Sequence, residues 1–301
     1  MIVIGDASLT KQIRELWRAN YIDPTGKYID FFFKSIYKPE YSYCLVEDGQ
    51  VKAVVLRIPQ AVMFNDRILA ASLLTGAAEL ADGMISEELL PVVLDACEHS
   101  ELITLADVSD ARYFGNAGFE RIYKKTRYSL ERKNFSAITN FGCAYDPSPI
   151  DMLKVYSAFA HRFNGFSARN VEDFAAMKKE VSRRGGKTVA FYDEKNRIRA
   201  YACIAVKDDL AEIEECIYVD AKGLMKMVNA AFQERRNVDL VVSEAENLSV
   251  LLPGAVKKKE WSKLVRLNDA SLFSRLFNTE VSTAQEAYAI SRKPLYFNDR
   301  F

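Results

Sequence analysis

The sequence has little histidine and no closely paired cysteines. It contains two histidines and five cysteines in 301 residues, and no C-x-x-C pair. Zinc and iron–sulfur sites need such ligands at short, regular spacings, so the sequence predicts no metal site. The odd number of cysteines, and the position of Cys44, Cys203 and Cys216 inside apolar runs, favour buried reduced thiols over disulfides. We therefore expect a cytoplasmic protein.

Net charge and long apolar stretches are also missing. The 41 basic residues balance the 41 acidic ones. No overall field would steer this chain to nucleic acid or to an acidic lipid surface, so neither partner is expected. No segment reaches the apolar length that a membrane span needs, and the N-terminal residues lack the pattern of a signal peptide. The sequence thus predicts a protein that is neither exported by a signal peptide nor anchored in a membrane, and it leaves the oligomeric state open.

What the sequence does have is enough apolar material for two ordinary domains. Hydrophobic residues make up 49% of the chain and charged residues 27%. This balance is typical of globular proteins, and 301 residues suffice for two separate cores.

The first half reads as a series of helices and strands that closes on a strand. Residues 8–21 and 27–35 have helical periodicity, and Asp48-Gly49 predicts a hairpin turn between two β-rich segments. A nearly all-apolar strand follows the turn at Asn65-Asp66. The remaining predicted elements are a helix from Ser86 that Pro91 interrupts, a buried strand at ELITLADV, a short helix at ARYFGNAG and a closing strand at FERIYKKTRYSL.

The second half repeats this order of elements. Two helices precede a hairpin around residues 194–196, and then come a long strand, a helix, a buried strand, a short helix at ENLSVLL and a closing strand. The two halves end on similar text, KKTRYSL and WSKLVRLN. An internal duplication explains this pattern. We therefore predict an α+β fold with two domains, each a mixed, mostly antiparallel sheet flanked by helices. The predicted ranges are 1–133, a linker at 134–149, 150–268, and a helix with a tail at 269–301.

Two segments resemble a known family. ARYFGNAGFERI is similar to the stretch of GNAT acetyltransferases in which an aromatic helical turn precedes Gly-Phe and a strand. The text from ELWRANYIDP to VVLRIP resembles tandem GNAT proteins related to the enhanced intracellular survival type. We expect these 301 residues to lack the sterol-carrier-like third domain of those relatives.

The resemblance implies that the first half binds acetyl-CoA. Family members hold the pantetheine arm along the fourth strand, and they hold the pyrophosphate on backbone amides at the start of the next helix, where an anion is favoured. In this sequence the corresponding cofactor-binding residues are Thr75, Gly76, Ala77, Ala78, Ala81, Gly83, Met84, Ile85 and Asn116.

The sequence departs from the family pattern at this loop and at the catalytic acid. The arginine of the family's phosphate loop is absent, and Asp82 brings a negative charge that opposes a pyrophosphate. The family's acid is a tyrosine at the position of Phe114, and here the tyrosine is Tyr113, one residue earlier. An offset of one residue rotates a helical side chain by roughly 100°. The resemblance also makes the terminal carboxylate of Phe301 a candidate base. The second half has only Gly223 in its loop, so it is the less favoured cofactor domain.

Two functions follow from these observations. The first is an acyl-CoA-dependent N-acetyltransferase with an unknown small-molecule or peptide amine as acceptor. The second is a catalytically inactive GNAT-like module that binds a ligand or a protein. Trp17, Tyr28, Phe32 and Phe33 fit the wall of an acceptor pocket, and core packing explains them equally. The adjacent carboxylates Glu214 and Glu215 fit an amine-binding cleft in the second half, although alternation along a strand would turn one of them to solvent.

Overall fold

A computed structural model describes residues 1–21, 26–136 and 138–298, and for Lys27 it describes the backbone alone. The chain folds into two compact units. The first unit contains Met1–Tyr123 and Trp261–Arg292, and the second contains Lys124–Glu260 and Lys293–Asn298. Each unit therefore consists of separate stretches of sequence.

The helices and strands follow one another in a mixed α/β order. Up to residue 131 they are β1 Ile2–Ile4, α1 Thr10–Asn20, α2 Lys27–Ser35, β2 Ser42–Glu47, β3 Gln50–Phe64, β4 Arg67–Glu79, a π-helical segment Met84–Leu89, α3 Leu90–Glu98, β5 Ile103–Asp107, α4 Ala111–Phe114 and β6 Glu120–Glu131. Beyond residue 131 they are β7 Cys143–Tyr145, α5 Pro149–Ala160, β8 Phe166–Ser167, α6 Val171–Arg183, β9 Lys187–Tyr192, β10 Ile198–Val206, β11 Leu210–Tyr218, α7 Ala221–Glu234, β12 Asn237–Ser243, β13 Val256–Leu267, α8 Ala270–Phe277 and α9 Ala284–Ala289.

The sheet of the first unit is mixed. Its order is β1-β2-β3-β4-β5-β13, in which only β4 and β5 run parallel. The turns are those that the sequence predicts: Asp48 and Gly49 have φ values of 50° and 73°, and Asn65 and Asp66 have 43° and 63°. Positive φ at both central residues gives a two-residue turn whose twist matches the strands.

Helices cover both faces of this sheet, because neighbouring strand residues point to opposite sides. Cys44, Val54 and Leu56 pack with residues of α1 and α2 on one face. Tyr43 and Val55 pack with residues of α3 and α4 on the other.

The second unit repeats the same strand order. Its sheet runs β7-β9-β10-β11-β12-β6, and only β11 and β12 are parallel. α5 and α7 both pack against β10 and β11. α6 begins with a capping box between Asn170 and Asp173, which satisfies two backbone N–H groups at the helix start. The mixed sheets flanked by helices confirm the predicted fold class.

The closing strand of each sheet comes from the other half of the sequence. Residues 263–267 of β13 pair with β5 in the first unit, whereas residues 125–131 of β6 pair with β12 in the second. The units thus differ from the predicted contiguous ranges. The second unit includes residues 124–133, the predicted linker 134–149 and Lys293–Asn298 of the predicted tail, and residues 261–268 belong to the first unit.

Two predicted short helices differ from the structure. The segment 246–252 forms turns and no helix. Its backbone is held by Tyr128, whose hydroxyl accepts the Leu248 N–H at 2.9 Å and donates to the Glu246 carbonyl at 3.3 Å. The helix predicted to run to Gly118 ends at Phe114. Side-chain bonds and glycine therefore override helical periodicity at these places.

Candidate functional site

In the first unit, β4 and β5 separate after four residue pairs. Their register runs from Ala71 opposite Ile103 to Leu74 opposite Ala106. β4 continues to Glu79 and stays paired with β3 on its other edge, up to the pair Glu79 and Ala53. The edge of β4 from Thr75 to Glu79 therefore has no partner from β5. Unpaired backbone groups at such an edge are free to bind an extended ligand.

A β-bulge lies at the point of separation. Leu56 pairs with Thr75 and Val54 with Ala78, so Gly76 and Ala77 together face Val55. Gly76 has φ of +64°, and a Cβ there would come within 2.1 Å of the Trp17 ring. Only glycine fits this position, because it accepts positive φ and leaves room for the indole. The bulge also changes the direction of the neighbouring carbonyl: the Tyr21 hydroxyl donates to the Ala77 oxygen at 3.1 Å.

Acidic side chains surround the junction between β4 and the following helix. The carboxylate of Glu79 accepts the Ile85 N–H at 2.9 Å, in the first turn of the π-helical segment. Gly83 precedes this turn with φ of +94°, and the Glu87 carboxylate would lie 3.2 Å from a Cβ at Gly83. Ala81 and Asp82 are exposed, Met84 is half-buried and Ile85 is fully buried. One N–H of the predicted phosphate site thus already binds an anion of the chain itself.

The predicted catalytic tyrosine is held on α4. Tyr113 is buried, and its hydroxyl accepts a hydrogen bond from Arg112, whose guanidinium lies 4.4 Å from the centre of the Tyr113 ring. Burial raises the pKa of Tyr113, and the charges of Glu79 and Asp110 act in the same direction against that of Arg112. Phe114 is fully buried, and Asn116 is exposed. Phe301 lies outside the described residues.

The structure brings together side chains that the sequence patterns did not indicate. Near the separated strands, Tyr113 interacts electrostatically with Glu79 and Asp110. Tyr21 interacts with Asp110 and with Tyr113. Burial raises the pKa of Tyr21 and also raises that of Asp110, to about 6. A signal for Asp110 was present, because polar residues that follow a buried strand lie at its carboxyl end, where binding residues of mixed sheets concentrate. No local signal identified Tyr21.

The second unit has the same strand separation, and the chain's own tail fills it. β11 and β12 pair only from Leu210 to Ile213, and β11 has a bulge at Glu214. The Asn298 side-chain amide donates to the Glu214 carbonyl at 2.9 Å, and the Ser243 hydroxyl donates to the Leu295 carbonyl at 2.8 Å. Residues 295–298 therefore bind both diverging strands.

The two adjacent carboxylates of this unit, Glu214 and Glu215, each form an ion pair with an arginine. Arg169 forms a two-pronged pair with Glu215 at 2.8 and 2.7 Å, and Arg184 forms one with Glu214 at 3.0 and 2.7 Å. Burial favours a protonated Glu215, but the charge of Arg169 and the hydrogen bonds outweigh it, so the pKa of Glu215 is lowered. Both carboxylates are bound within the unit.

The described part of the chain holds neither a metal cluster nor a membrane-spanning helix. Among residues 1–21, 26–136 and 138–298, no group of three or more His, Cys, Asp or Glu side chains is arranged to hold a metal ion. Within the same ranges, no helix combines the length and the apolar character that crossing a bilayer requires.

No protein-family model matches the sequence, and no curated protein matches it. Solved structures do. A GCN5-related N-acetyltransferase from Anabaena variabilis has a TM-score of 0.72 over 89% of this chain and 73% of its own, at 11% identity. Eis1 from Mycobacterium abscessus has 0.68 over 91% and 75%, at 11% identity. A conserved protein from Enterococcus faecalis, described as a probable N-acyltransferase, has 0.73 over 89% and 72%, at 14% identity. The chain therefore has the fold of the GCN5-related N-acetyltransferases.

Proposed function

We propose that the protein is an acyl-CoA-dependent N-acetyltransferase that transfers an acetyl group to an amine in its first unit. The observation that carries this proposal is the separation of β4 from β5 after Leu74, which leaves the edge from Thr75 to Glu79 unpaired by β5. The fold of the structural neighbours, two of which are named as acyl- or acetyltransferases, supports it.

In the candidate donor site, the β4 backbone suits the pantetheine arm of acetyl-CoA, whereas the Glu79 carboxylate opposes binding of the pyrophosphate. The backbone of Thr75, Gly76, Ala77 and Ala78 offers hydrogen-bonding groups to the pantetheine amides, although Tyr21 already uses the Ala77 carbonyl. Backbone amides of Gly83, Met84 and Ile85 would hold the pyrophosphate, as would Ala81 at the turn. The Glu79 carboxylate competes for the Ile85 N–H, so phosphate binding must displace it.

Tyr113 would donate a proton to the departing thiolate. Arg112 donates a hydrogen bond to the Tyr113 hydroxyl and its charge favours ionisation of that hydroxyl, whereas burial disfavours ionisation. The carboxylate of Phe301 and the side chain of Asn116 remain proposals for the base and for a cofactor contact. The acceptor is an amine of a small molecule or a peptide.

The Glu79 contact favours a second candidate, a non-catalytic module of the same fold. A carboxylate that accepts the N–H at the start of a helix occupies the place of a phosphate, and its charge repels a phosphate at short range. In that case the groove between β4 and β5 would bind a ligand without phosphates or a segment of another protein.

We also propose that the protein works in a reducing compartment such as the cytoplasm. All five cysteines are free thiols, and four of them are buried. Burial raises the pKa values of Cys44 and Cys97 to about 11, which keeps both in the unreactive thiol form. Neither nucleic acid nor a membrane is proposed as a partner.

Titration calorimetry with acetyl-CoA, combined with a thiol-release assay over a panel of amines, tests these alternatives. Binding with turnover supports the transferase. If millimolar acetyl-CoA gives no heat with the wild type and with Glu79→Gln, the transferase proposal fails and the module remains.

A further inference from the structure

Asp110 lies where β5 leaves β4. The last β5 residue that pairs with β4 is Ala106, and a single 3₁₀ turn, Val108–Asp110, leads from β5 into α4. Asp110 is half-buried and follows the strand whose departure opens the groove. Its charge acts on Tyr113 and on Tyr21, whose hydroxyl donates to the Ala77 carbonyl of β4.

The Asp110 carboxylate has no partner in the described part of the chain. Among residues 1–21, 26–136 and 138–298, no side chain or backbone group donates a hydrogen bond to it, and no cation pairs with it within 4.0 Å. Asp110 precedes α4, but its side chain caps no N–H there. By contrast, nearby Asp107 accepts a 2.8 Å hydrogen bond from the buried Lys263. The Asp110 carboxylate oxygens are therefore available as acceptors for a ligand.

The charges around Asp110 leave it ionised and unusually basic. Burial raises its pKa to about 6, and the neighbouring Asp107 acts in the same direction. Lys263 on β13 and Arg112 on α4 lower the pKa. Tyr21 and Tyr113 are uncharged neighbours whose own pKa values the Asp110 charge raises. At neutral pH such a carboxyl is mostly ionised, yet it holds a proton more strongly than an ordinary aspartate.

Aromatic rings stand on the α1 side of the same groove. Tyr21 is linked to β4 through the Ala77 carbonyl, and its ring centre lies 5.1 Å from that of Trp17. Trp17 also contacts Phe33 at 5.2 Å. Trp17 is 3% exposed, and its indole N–H has no acceptor among the described residues. Of these rings, Tyr21 interacts electrostatically with Asp110, and an aromatic ring near an unpaired carboxylate favours an organic cation.

We propose that Asp110, rather than the Phe301 carboxylate, binds the ammonium group of the acceptor and then takes its proton. This inference rests on the proposed acetyltransferase function and names its acceptor as a cationic amine with an apolar or aromatic part. Asp110 accepts one proton from the ammonium nitrogen, which frees the nitrogen lone pair. The C–N bond to the acetyl group then forms as the C–S bond of the thioester breaks, and the thiolate takes a proton from Tyr113. A second proton leaves the new amide nitrogen and restores that of Tyr113 by way of solvent, and Asp110 releases its own proton to solvent.

The test compares Asp110→Asn with the wild type, and Asp66→Asn is the matched control. Asp66 is exposed in the β3–β4 turn, and asparagine accepts its φ of 63°. The probes are 2-phenylethylamine and its uncharged analogue 2-phenylethanol, titrated by calorimetry without any acyl donor. We expect the amine to bind the wild type more tightly than the alcohol does, and Asp110→Asn to lose about 10-fold or more of that affinity.

Two further measurements separate this inference from the proposed function. Carboxyl ¹³C NMR should show an aspartate that titrates near pH 6 in the wild type and is missing in Asp110→Asn. With acetyl-CoA present, Asp110→Asn should lower kcat/KM about 10²–10⁴-fold and abolish the acidic limb of its pH profile. Turnover and amine binding that survive in Asp110→Asn would overturn the inference and leave the transferase standing. Amine binding that depends on Asp110, without turnover by the wild type, would overturn the transferase and keep the binding site.

Discussion

The carboxylate of Glu79 accepts a 2.9 Å hydrogen bond from the backbone N–H of Ile85. Glu79 ends β4 and Ile85 belongs to the first turn of the following π-helical segment, so the contact bridges the loop that we propose for the pyrophosphate. The sequence suggested Asp82 as the opposing charge, but Asp82 is exposed and Glu79 makes the contact. Removing the charge of Glu79 is therefore the most direct test of donor binding.

Glu79→Gln should strengthen the binding of acetyl-CoA. Glutamine keeps an oxygen that can accept the Ile85 N–H, but it removes a charge near the phosphates. Repulsion at close range, reduced by solvent, is worth about 1–2 kcal/mol, or roughly 5–30-fold in Kd. Calorimetry measures the change, and Glu88→Gln, an exposed carboxylate of the same segment, is the control. Equal affinity in wild type and Glu79→Gln would show that no phosphate binds at this loop.

Gly76→Ala should destabilise the first unit strongly. The new Cβ would meet the Trp17 ring at 2.1 Å in a backbone with φ of +64°. Strain and overpacking together should cost about 3–4 kcal/mol in free energy of unfolding. Gly49→Ala is the control, because Gly49 has φ of +73° and nothing within 4 Å of its Cβ position. That control should lose only about 1 kcal/mol in urea denaturation, and an equal loss in both variants would contradict the role given to Trp17.

Tyr296→Ala should loosen the second unit. Tyr296 is 5% exposed, and its ring centre lies 5.2 Å from that of Phe159 and 5.3 Å from that of Phe163. The lost packing should cost about 3–5 kcal/mol. Hydrogen exchange should accelerate in β11 and β12, which the tail bridges. Phe141→Ala, at a side chain that is 78% exposed, should change the urea midpoint little. Unchanged exchange in Tyr296→Ala would mean that the tail is only loosely attached.

Asp110→Asn should make the protein more stable at neutral pH. Folding raises the pKa of Asp110 from 3.8 to about 6, so the folded state holds this proton more tightly than the unfolded state. The stability that the protonated carboxyl contributes is present below pH 4 and is lost as the pH rises through 6. At pH 7.5 the variant should therefore gain about 2 kcal/mol over the wild type. Urea denaturation between pH 4 and 8 measures this gain, which should disappear near pH 4. A constant difference across this range would show that Asp110 is not responsible.

Local patterns predicted most strands, the principal helices and both hairpin turns, because alternation and turn residues act within a few positions. They failed where contacts with residues distant in the sequence determine the local structure or the pairing of a strand. The segment 246–252 forms turns since the Tyr128 hydroxyl binds the Leu248 N–H and the Glu246 carbonyl. The placement of the closing strands also escaped prediction, because KKTRYSL and WSKLVRLN are similar and their local patterns do not distinguish the two sheets.

The site residues that the sequence indicates stay a prediction, and the structure shows only where they lie in the fold. Gly76, Ala77 and Ala78 lie on the bulged edge of β4, and Gly83 to Ile85 start the helical segment. The roles of Glu79 and Tyr21 depend on contacts across 6 and 56 positions in the chain. Such contacts arise from the packed fold and leave no periodic trace in the sequence.

The origin of β13 has a consequence for synthesis on the ribosome. β5 acquires its antiparallel neighbour only from residues 263–267, so a nascent chain that has released the first 133 residues exposes an open strand edge. Such edges pair readily with other chains, and the delay would last until nearly the whole protein has emerged. Fragments that stop after the first closing strand should therefore aggregate, and expression should depend on chaperones that shield β5.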